Sequence, residues 1–148
     1  MSITNIETLI DKIKVLKDFN DTDEILKNYT GNDWEQYVKI NKNRYNRNKV
    51  FSNNDFEILI ITWDKNQKSE IHDHAHNGCY VKILSGELTE YLFSPNLSLK
   101  KETVLTNGNI SFMHNNIGYH LIENKGTDAS ASIHIYSPPN HATKYYKI

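Results

Sequence analysis

Two histidines separated by one residue are the first feature of this sequence that could do chemistry. His72 and His74 flank Asp73 and follow the apolar residue Ile71. Because side chains alternate along a strand, a strand here would direct both imidazoles to one face and Asp73 to the other. A small barrel could bring a third imidazole, that of His120, opposite the pair. Three neutral imidazoles would hold a divalent metal with open coordination positions, although a His-x-His pair also arises by chance among 7 histidines.

Three polar residues alternate with apolar ones in the segment SASIHIYSPP. Ser132, His134 and Tyr136 would line one face of a strand. If that face points into a barrel, each polar group needs a hydrogen-bond partner, because unpaired burial costs free energy; a solvent-facing stripe is the alternative. Arg47 is likewise either an ordinary surface charge or, if turned into a barrel, a receptor for a carboxylate.

Short β-rich runs occupy most of the chain after residue 44, and turn signals such as Ser85-Gly86 and Asn107-Gly108 separate them. No helical pattern lies between the runs. This spacing predicts a mainly β fold, an antiparallel β-barrel or small jelly roll, rather than a parallel βαβ sheet. The predicted strands cover residues 45–51, 56–63, 79–84, 88–93, 103–105, 110–112, 120–123 and 131–136.

The first 44 residues have a helical pattern instead. Thr4 with Glu7 has the form of a capping box, and Asp21 with Glu24 marks a second helix start. We therefore predict one domain over residues 1–148, in which short N-terminal helices from residues 1–44 flank a barrel made by residues 45–148. The apolar residues at helical spacing in the first helix are Ile6, Leu9, Ile10, Ile13 and Leu16.

The composition narrows the class of function. A length of 148 residues fits one domain, and 17 Lys and Arg residues against 18 Asp and Glu residues give a net charge of -1. Nucleic-acid binding needs a basic excess that this balance lacks. A single cysteine, Cys79, suits a reducing compartment, and no apolar run is long enough for a membrane span or a signal peptide. We expect a cytoplasmic protein without a nucleic-acid or membrane partner.

The segment HDHAHNGCYVKILSGEL is similar to the first metal motif of cysteine dioxygenase, a thiol dioxygenase with the cupin fold. The similarity continues upstream in DWEQYVKINKNRYNRN and ILIITW, and downstream in IGYHLIEN and IHIYSPP. Cys79 stands where the cupin pattern usually carries a glutamate ligand, as it does in animal cysteine dioxygenases. These ordered motifs together span residues 33–139.

The resemblance implies a mononuclear iron(II) site with His72, His74 and His120 as its ligands. It also implies that L-cysteine and O2 are the substrates and that cysteine sulfinic acid is the product. The ligand set alone does not choose iron over zinc. Oxygen activation favours iron over zinc, because it needs a metal that can change its oxidation state.

The resemblance assigns roles to residues around the metal as well. Arg47, with Tyr45 beside it, matches the arginine that binds the substrate carboxylate, a position where the related 3-mercaptopropionate dioxygenases have glutamine. Tyr136 matches an active-site tyrosine whose hydroxyl faces the substrate. His134 and Ser132 match the chain of side chains that orients this tyrosine.

A covalent link between Cys79 and Tyr136 is also implied, because the family joins the matching cysteine and tyrosine by a thioether. Without that link, Cys79 would be a small buried hydrophobe, as most free cysteines are. Trp63 matches the family too, and we assign it to packing. Solvated loops are expected for the remaining histidines His76, His114 and His141.

The chain departs from the family pattern after the SPP segment. Animal cysteine dioxygenases continue there with strands that help to close the domain, and they often carry a cysteine near the position of Thr143, so we expect altered stability or site enclosure. The leading interpretation is a monomeric iron(II) cysteine dioxygenase. The alternatives are a dioxygenase of another small thiol, a non-catalytic metal-binding cupin, and a zinc-dependent isomerase or hydrolase on the same fold.

Overall fold

Two five-stranded antiparallel sheets face each other in the computed structural model, which describes residues 2–148. The first sheet has the order β1-β2-β9-β4-β7 and the second has the order β10-β3-β8-β5-β6. This arrangement confirms the predicted jelly roll, with two stacked sheets in place of one closed barrel. The strands are β1 (Asn46–Ser52), β2 (Glu57–Trp63), β3 (Ile71–His72), β4 (Cys79–Ser85), β5 (Glu87–Phe93), β6 (Leu99–Thr106), β7 (Ile110–Met113), β8 (Tyr119–Glu123), β9 (Ser130–Tyr136) and β10 (Tyr145–Tyr146).

Each of the eight predicted strands overlaps an observed strand. β3 covers only the first histidine of the strand expected through His72 and His74, and β10 was not predicted. Both have two residues. Tyr145 of β10 pairs with His72 of β3, which in turn pairs with His120 of β8. A two-residue strand is defined by its partners and not by a local sequence pattern, so alternation along the chain could not reveal it.

The helical part packs on the outer face of the first sheet. Its helices are α1 (Ile6–Lys14) and α2 (Thr22–Lys27), with short 3₁₀ turns at Phe19–Asp21 and Asp33–Tyr37. The predicted capping box was wrong. Asn5 is the N-cap residue, and its side chain accepts a hydrogen bond from the backbone N–H of Thr8, because the helix starts one residue later than the Thr4 signal requires.

One buried lysine joins the helical part to the sheet. The Nζ atom of Lys82, on β4, donates hydrogen bonds to the carbonyl oxygens of Leu26 and Tyr29, at 2.9 Å and 2.7 Å. These carbonyls belong to the C-terminal end of α2 and the residues after it, and the Leu26 carbonyl also accepts from the backbone N–H of Tyr29 at 3.2 Å. The ammonium group therefore binds two backbone acceptors and is itself paired inside the protein.

Strand β2 is buried along its whole length because both of its faces are covered. Ile58 and Ile60 point towards the helices and join their core. Leu59, Ile61 and Trp63 point the opposite way, into the space between the two sheets. That inner face carries the candidate site, so the helices support the site from behind without lining it. No helix within residues 2–148 is long and apolar enough to cross a membrane.

Candidate functional site

The structure brings the imidazoles of His72, His74 and His120 together between the two sheets. One ring nitrogen of each lies within 4.8 Å of the others. The ring centroids of His72 and His120 are 4.7 Å apart, and those of His74 and His120 are 4.4 Å apart. His72 and His120 come from directly paired positions of β3 and β8. His74 lies beyond the end of β3, so the strand predicted through His72 and His74 ends after its first histidine.

Hydrogen bonds fix how two of these rings present their nitrogens. The Nδ1 atom of His72 lies 2.7 Å from the carbonyl oxygen of Glu70, and the Nδ1 atom of His120 lies 2.7 Å from Oε2 of Glu90. Carbonyl and carboxylate oxygens accept hydrogen bonds, so both Nδ1 atoms carry the proton. The two Nε2 atoms then face each other as lone pairs across 3.1 Å. A cation between or beside them would remove this repulsion.

His74 supplies the third ligand atom. Its ring is buried, and neither ring nitrogen has a hydrogen-bond partner within residues 2–148. Unpaired burial of a polar group costs free energy, and bound metal is one of the partners that removes the cost. Burial also lowers the pKa of all three imidazoles, which favours the neutral form that binds metals. The donor set therefore fits a divalent cation.

Glu90 was not predicted as a site residue. It is buried on β5, and the Ser111 hydroxyl donates to both of its carboxylate oxygens, at 2.8 Å and 3.0 Å. Burial raises the pKa of Glu90, and the hydrogen bond from Ser111 acts in the opposite direction. A signal for Glu90 was present, because Leu88 and Leu92 flank it at a spacing of two and place it on an inward face.

The loop after β3 is held from two sides. Asn115 accepts from the backbone N–H of His74 and donates to its carbonyl oxygen. On the other side, Oδ1 of Asp73 is 2.9 Å from Nε2 of His141 and accepts from the backbone N–H of Lys144 at 2.8 Å. The Asp73 carboxylate lines the cavity and pairs with residues near the end of the chain. The solvated position expected for His141 was wrong, because this half-buried ring reaches Asp73 across 68 residues of chain.

Arg47 lies at the mouth of the site and turns towards it. Its Nη2 atom donates to the Tyr136 hydroxyl at 3.0 Å. Tyr45, two residues earlier on the chain, stacks on Trp63 with ring centroids 4.6 Å apart. All four side chains line one cavity with the three imidazoles. Burial raises the pKa of both tyrosines, and the Arg47 charge acts in the opposite direction on each, so the hydroxyls are protonated at neutral pH.

Trp63 does more than pack. Its indole Nε1 donates to the Ser132 hydroxyl at 3.0 Å, and that hydroxyl lies 2.7 Å from Nε2 of His134. Ser132 and His134 are buried, so the alternative of a solvent-facing stripe is wrong. Within residues 2–148 the hydrogen-bonded series Trp63-Ser132-His134 does not extend to Tyr136, whose hydroxyl accepts from Arg47 instead.

Cys79 lies directly opposite Tyr136 on the neighbouring strand, since the two are Cα partners of β4 and β9. Its thiol is buried, and burial raises its pKa to about 12. Directly opposed residues of antiparallel strands place their Cβ atoms roughly 5 Å apart. The side chains of Cys79 and Tyr136 are therefore neighbours on the same face of the sheet.

The cavity that these residues line has a volume of about 80 Å³. One water needs roughly 10–15 Å³ by this measure, so the space suits a small organic molecule. Its walls combine apolar side chains such as Leu59 and Ile61 with polar ones, among them Arg47 and the three imidazoles. Such a site can bind a short anionic molecule by a carboxylate at Arg47 while its other end reaches the three imidazoles.

The chain is similar to proteins of known kind over nearly its whole length. The family model of cysteine dioxygenase type I matches residues 2–147. Cysteine dioxygenase type 1 of Danio rerio is 34% identical over 152 residues, covering 90% of this chain and 76% of that protein. The human protein of the same name is 34% identical over 150 residues, covering 89% of this chain and 75% of its own.

Solved structures support the cupin fold. A double-stranded β-helix protein from Klebsiella pneumoniae has a TM-score of 0.67 at 19% identity and covers 80% of this chain and 98% of its own. A cupin 2 conserved barrel domain protein from Leptotrichia buccalis has a TM-score of 0.58 at 16% identity and covers 70% of this chain and 45% of its own. At these identities the likeness concerns the fold alone, and it confirms the cupin prediction.

Proposed function

Because the chain belongs to the cysteine dioxygenase type I family and is an enzyme of that kind, we propose that it is iron(II)-dependent and oxidises the thiol of free L-cysteine with O2. Both oxygen atoms end on sulfur, giving cysteine sulfinic acid, so the reaction consumes one O2 and needs no further reductant. We also propose that the chain acts as one domain, as a monomer, and in the cytoplasm, where its single cysteine suits the reducing conditions.

The observation that carries the proposal is the facing pair of Nε2 atoms of His72 and His120, with His74 unpartnered beside them. These three imidazoles would hold iron(II). A redox-active metal in this position supplies an acid that lowers the pKa of the substrate thiol and a centre that activates O2. Zinc fits the same donor set, but it cannot change its oxidation state.

Arg47 is the residue we assign to the substrate carboxylate. Its guanidinium can donate in parallel to both carboxylate oxygens while keeping its bond to Tyr136. Tyr45 would flank this carboxylate, held by its stacking on Trp63. Anchoring the carboxylate at the mouth directs the thiol and the amine towards the imidazoles, and this orientation is the main contribution of these side chains to the rate.

Tyr136 and His134 are the remaining groups we assign to catalysis. The Tyr136 hydroxyl accepts from Arg47 and keeps a proton of its own, which it could donate to the substrate. His134 is held by Ser132, and burial lowers its pKa, so its ring is neutral and adds no positive charge to the site. Their role is to position the substrate and to hold a proton near its polar atoms.

We further propose a thioether between Cys79 and a ring carbon of Tyr136. Their directly opposed positions on β4 and β9 support it. The bond replaces one S–H and one ring C–H, and O2 serves as the oxidant for the two electrons released. Mass spectrometry after turnover should find a linked peptide pair that is lighter by two hydrogen atoms, and Cys79→Ser should abolish it. Recovery of unlinked peptides alone would contradict this part of the proposal.

The main experiment loads the protein with iron(II) without oxygen, then adds L-cysteine and ¹⁸O2. We expect one O2 consumed for each cysteine sulfinate, with both labelled atoms in the product. Zinc-loaded protein is the matched control and should give no sulfinate. If the iron-loaded protein binds metal but yields no sulfinate from L-cysteine, the alternative of a non-catalytic metal-binding cupin replaces the proposal.

A dioxygenase of 3-mercaptopropionate is the second candidate. Arg47 argues against it, because the related 3-mercaptopropionate dioxygenases carry glutamine at this position; the charged fork itself would accept the carboxylate of either substrate. Parallel kinetics with L-cysteine and 3-mercaptopropionate decide between the two. A higher kcat/KM for 3-mercaptopropionate would favour the second candidate.

A further inference from the structure

A segment near the end of the chain crosses the mouth of the cavity. Residues 141–145, here termed the strap, supply His141, Thr143 and Tyr145 to the cavity wall. None of these positions belongs to the sheets predicted from sequence. The strap therefore shapes the space in which the substrate must fit.

The strap is fixed to Asp73, which lies between His72 and His74 in the sequence. Oδ1 of Asp73 is hydrogen-bonded to the imidazole of His141 and accepts from the backbone N–H of Lys144. The backbone N–H of Asp73 in turn donates to the Lys144 carbonyl at 3.1 Å. Asp73 is itself nearly buried, at 9% exposure. Three hydrogen bonds to one residue hold the strap in place without contacting the ligand nitrogens.

Tyr145 is the largest side chain that the strap adds to the cavity. It pairs with His72 across β10 and β3, and the two ring centroids are 6.3 Å apart. The residue is 51% exposed, so one side of its ring faces solvent while the other faces the cavity. The next residue, Tyr146, projects to the opposite face and stacks on Tyr119 with centroids 4.5 Å apart.

Because the cavity is small, the position of the Tyr145 ring affects which molecules fit into it. About 80 Å³ leaves little space beyond a molecule the size of L-cysteine. The other walls are less able to yield, since Leu59, Ile61 and Trp63 belong to a buried strand of the first sheet. The half-exposed ring of Tyr145 is a part of the boundary whose removal would widen the opening of the cavity to solvent.

We propose that Tyr145 is a specificity-determining residue whose ring, held by the strap, closes the cavity mouth against thiols bulkier than L-cysteine. This inference rests on the proposed function. It names the substrate class that is excluded: α-amino thiols with added bulk at the β-carbon or at the carboxylate. L-penicillamine and L-cysteinylglycine represent these two kinds of bulk, and both keep the thiol and the amine of L-cysteine.

The test compares Tyr145→Ala with wild type by kcat/KM for L-cysteine, L-penicillamine and L-cysteinylglycine. For Tyr145→Ala we expect the ratio of at least one bulky thiol to L-cysteine to rise about tenfold, the effect of relieving a steric limit of a methylene or more. The gain should appear mainly as a lower KM. Tyr145→Phe keeps the ring and should retain the wild-type ratio.

Tyr146→Ala is the matched control, because it removes the same side chain from the same strand on the face away from the cavity. Its ratios should equal those of wild type. If Tyr145→Ala shows no gain with either bulky thiol, or if Tyr146→Ala shows the same gain, the inference is overturned. Turnover of L-cysteine by wild type tests the proposed function separately, so failure of the size limit and failure of the activity give different results.

Discussion

Nδ1 of His120 lies 2.7 Å from Oε2 of Glu90, and the two residues come from adjacent strands of the second sheet. The carboxylate holds the imidazole in the tautomer that presents Nε2 to the metal position and increases its basicity. Partners of this kind typically change metal affinity by about 10–100-fold when they are mutated. We therefore expect Glu90 to influence metal affinity without contacting the metal.

Glu90→Gln should weaken iron(II) binding by about tenfold or more, because the amide keeps the shape but loses the charge. Anaerobic titration with iron(II) or cobalt(II) measures the effect, and circular dichroism checks that the fold is retained. Glu102→Gln, at an exposed position of β6, is the control and should bind metal like wild type. Unchanged affinity in Glu90→Gln would remove this carboxylate from the site.

Arg47→Ala should raise KM for L-cysteine by about 10–100-fold, since a charge-assisted hydrogen bond contributes about 1.5–3 kcal/mol. Discrimination against cysteamine, which has no carboxylate, should fall by the same factor. Arg47→Lys keeps the charge but loses the fork, and we expect an intermediate effect. Equal kinetics of Arg47→Ala and wild type on L-cysteine would exclude the assigned role.

The metal-free protein should lose stability as the pH falls below about 6.5, the ordinary pKa of histidine. Burial lowers the pKa of His72, His74, His120 and His134 in the folded state. Below this pH the unfolded chain binds more protons than the folded one. For each extra proton that the unfolded chain binds, the free energy of unfolding falls by about 1.4 kcal/mol per unit decrease in pH. Above pH 6.5 both states are neutral, and this contribution is constant.

Urea unfolding between pH 5 and pH 8 in the presence of a chelator measures this dependence. His134→Gln should give a shallower slope, because it removes one of the four buried imidazoles. The exposed His76 provides the control, and His76→Gln should keep the wild-type slope. A stability that is flat from pH 8 down to pH 5 would contradict the neutral, buried state of these rings.

Lys82→Met should lower the free energy of unfolding by about 2 kcal/mol, because the Tyr29 carbonyl loses its buried donor and the Leu26 carbonyl keeps only the backbone N–H of Tyr29. Metal affinity should not change, since Lys82 lies on the face of β4 opposite the imidazoles. Urea denaturation measures the loss, and Lys101→Met, an exposed substitution on β6, serves as the control. A stability equal to wild type would show that the helical part is held without this lysine.

The β-rich runs and turn signals of the sequence were sufficient to locate eight strands. The runs in β2 and β9 are long enough to show which side chains share a face. Alternation could also place Ser132, His134 and Tyr136 on one face. It could not pair Asp73 with His141, or Tyr145 with His72, because those contacts join segments about 70 residues apart and depend on tertiary packing. Glu90 was missed for a different reason: a carboxylate on an amphipathic strand is usually solvated, and its burial depends on a histidine thirty residues later.

The stacking of Trp63 on Tyr45 has a spectroscopic consequence. The chain has two tryptophans, and the other, Trp34, lies in a 3₁₀ turn that packs against the helical core. Emission from Trp63 arises beside Arg47 and the three imidazoles, whereas emission from Trp34 arises outside the cavity. A Trp34→Phe protein would therefore carry one tryptophan, whose emission should report metal and thiol entry without any added label.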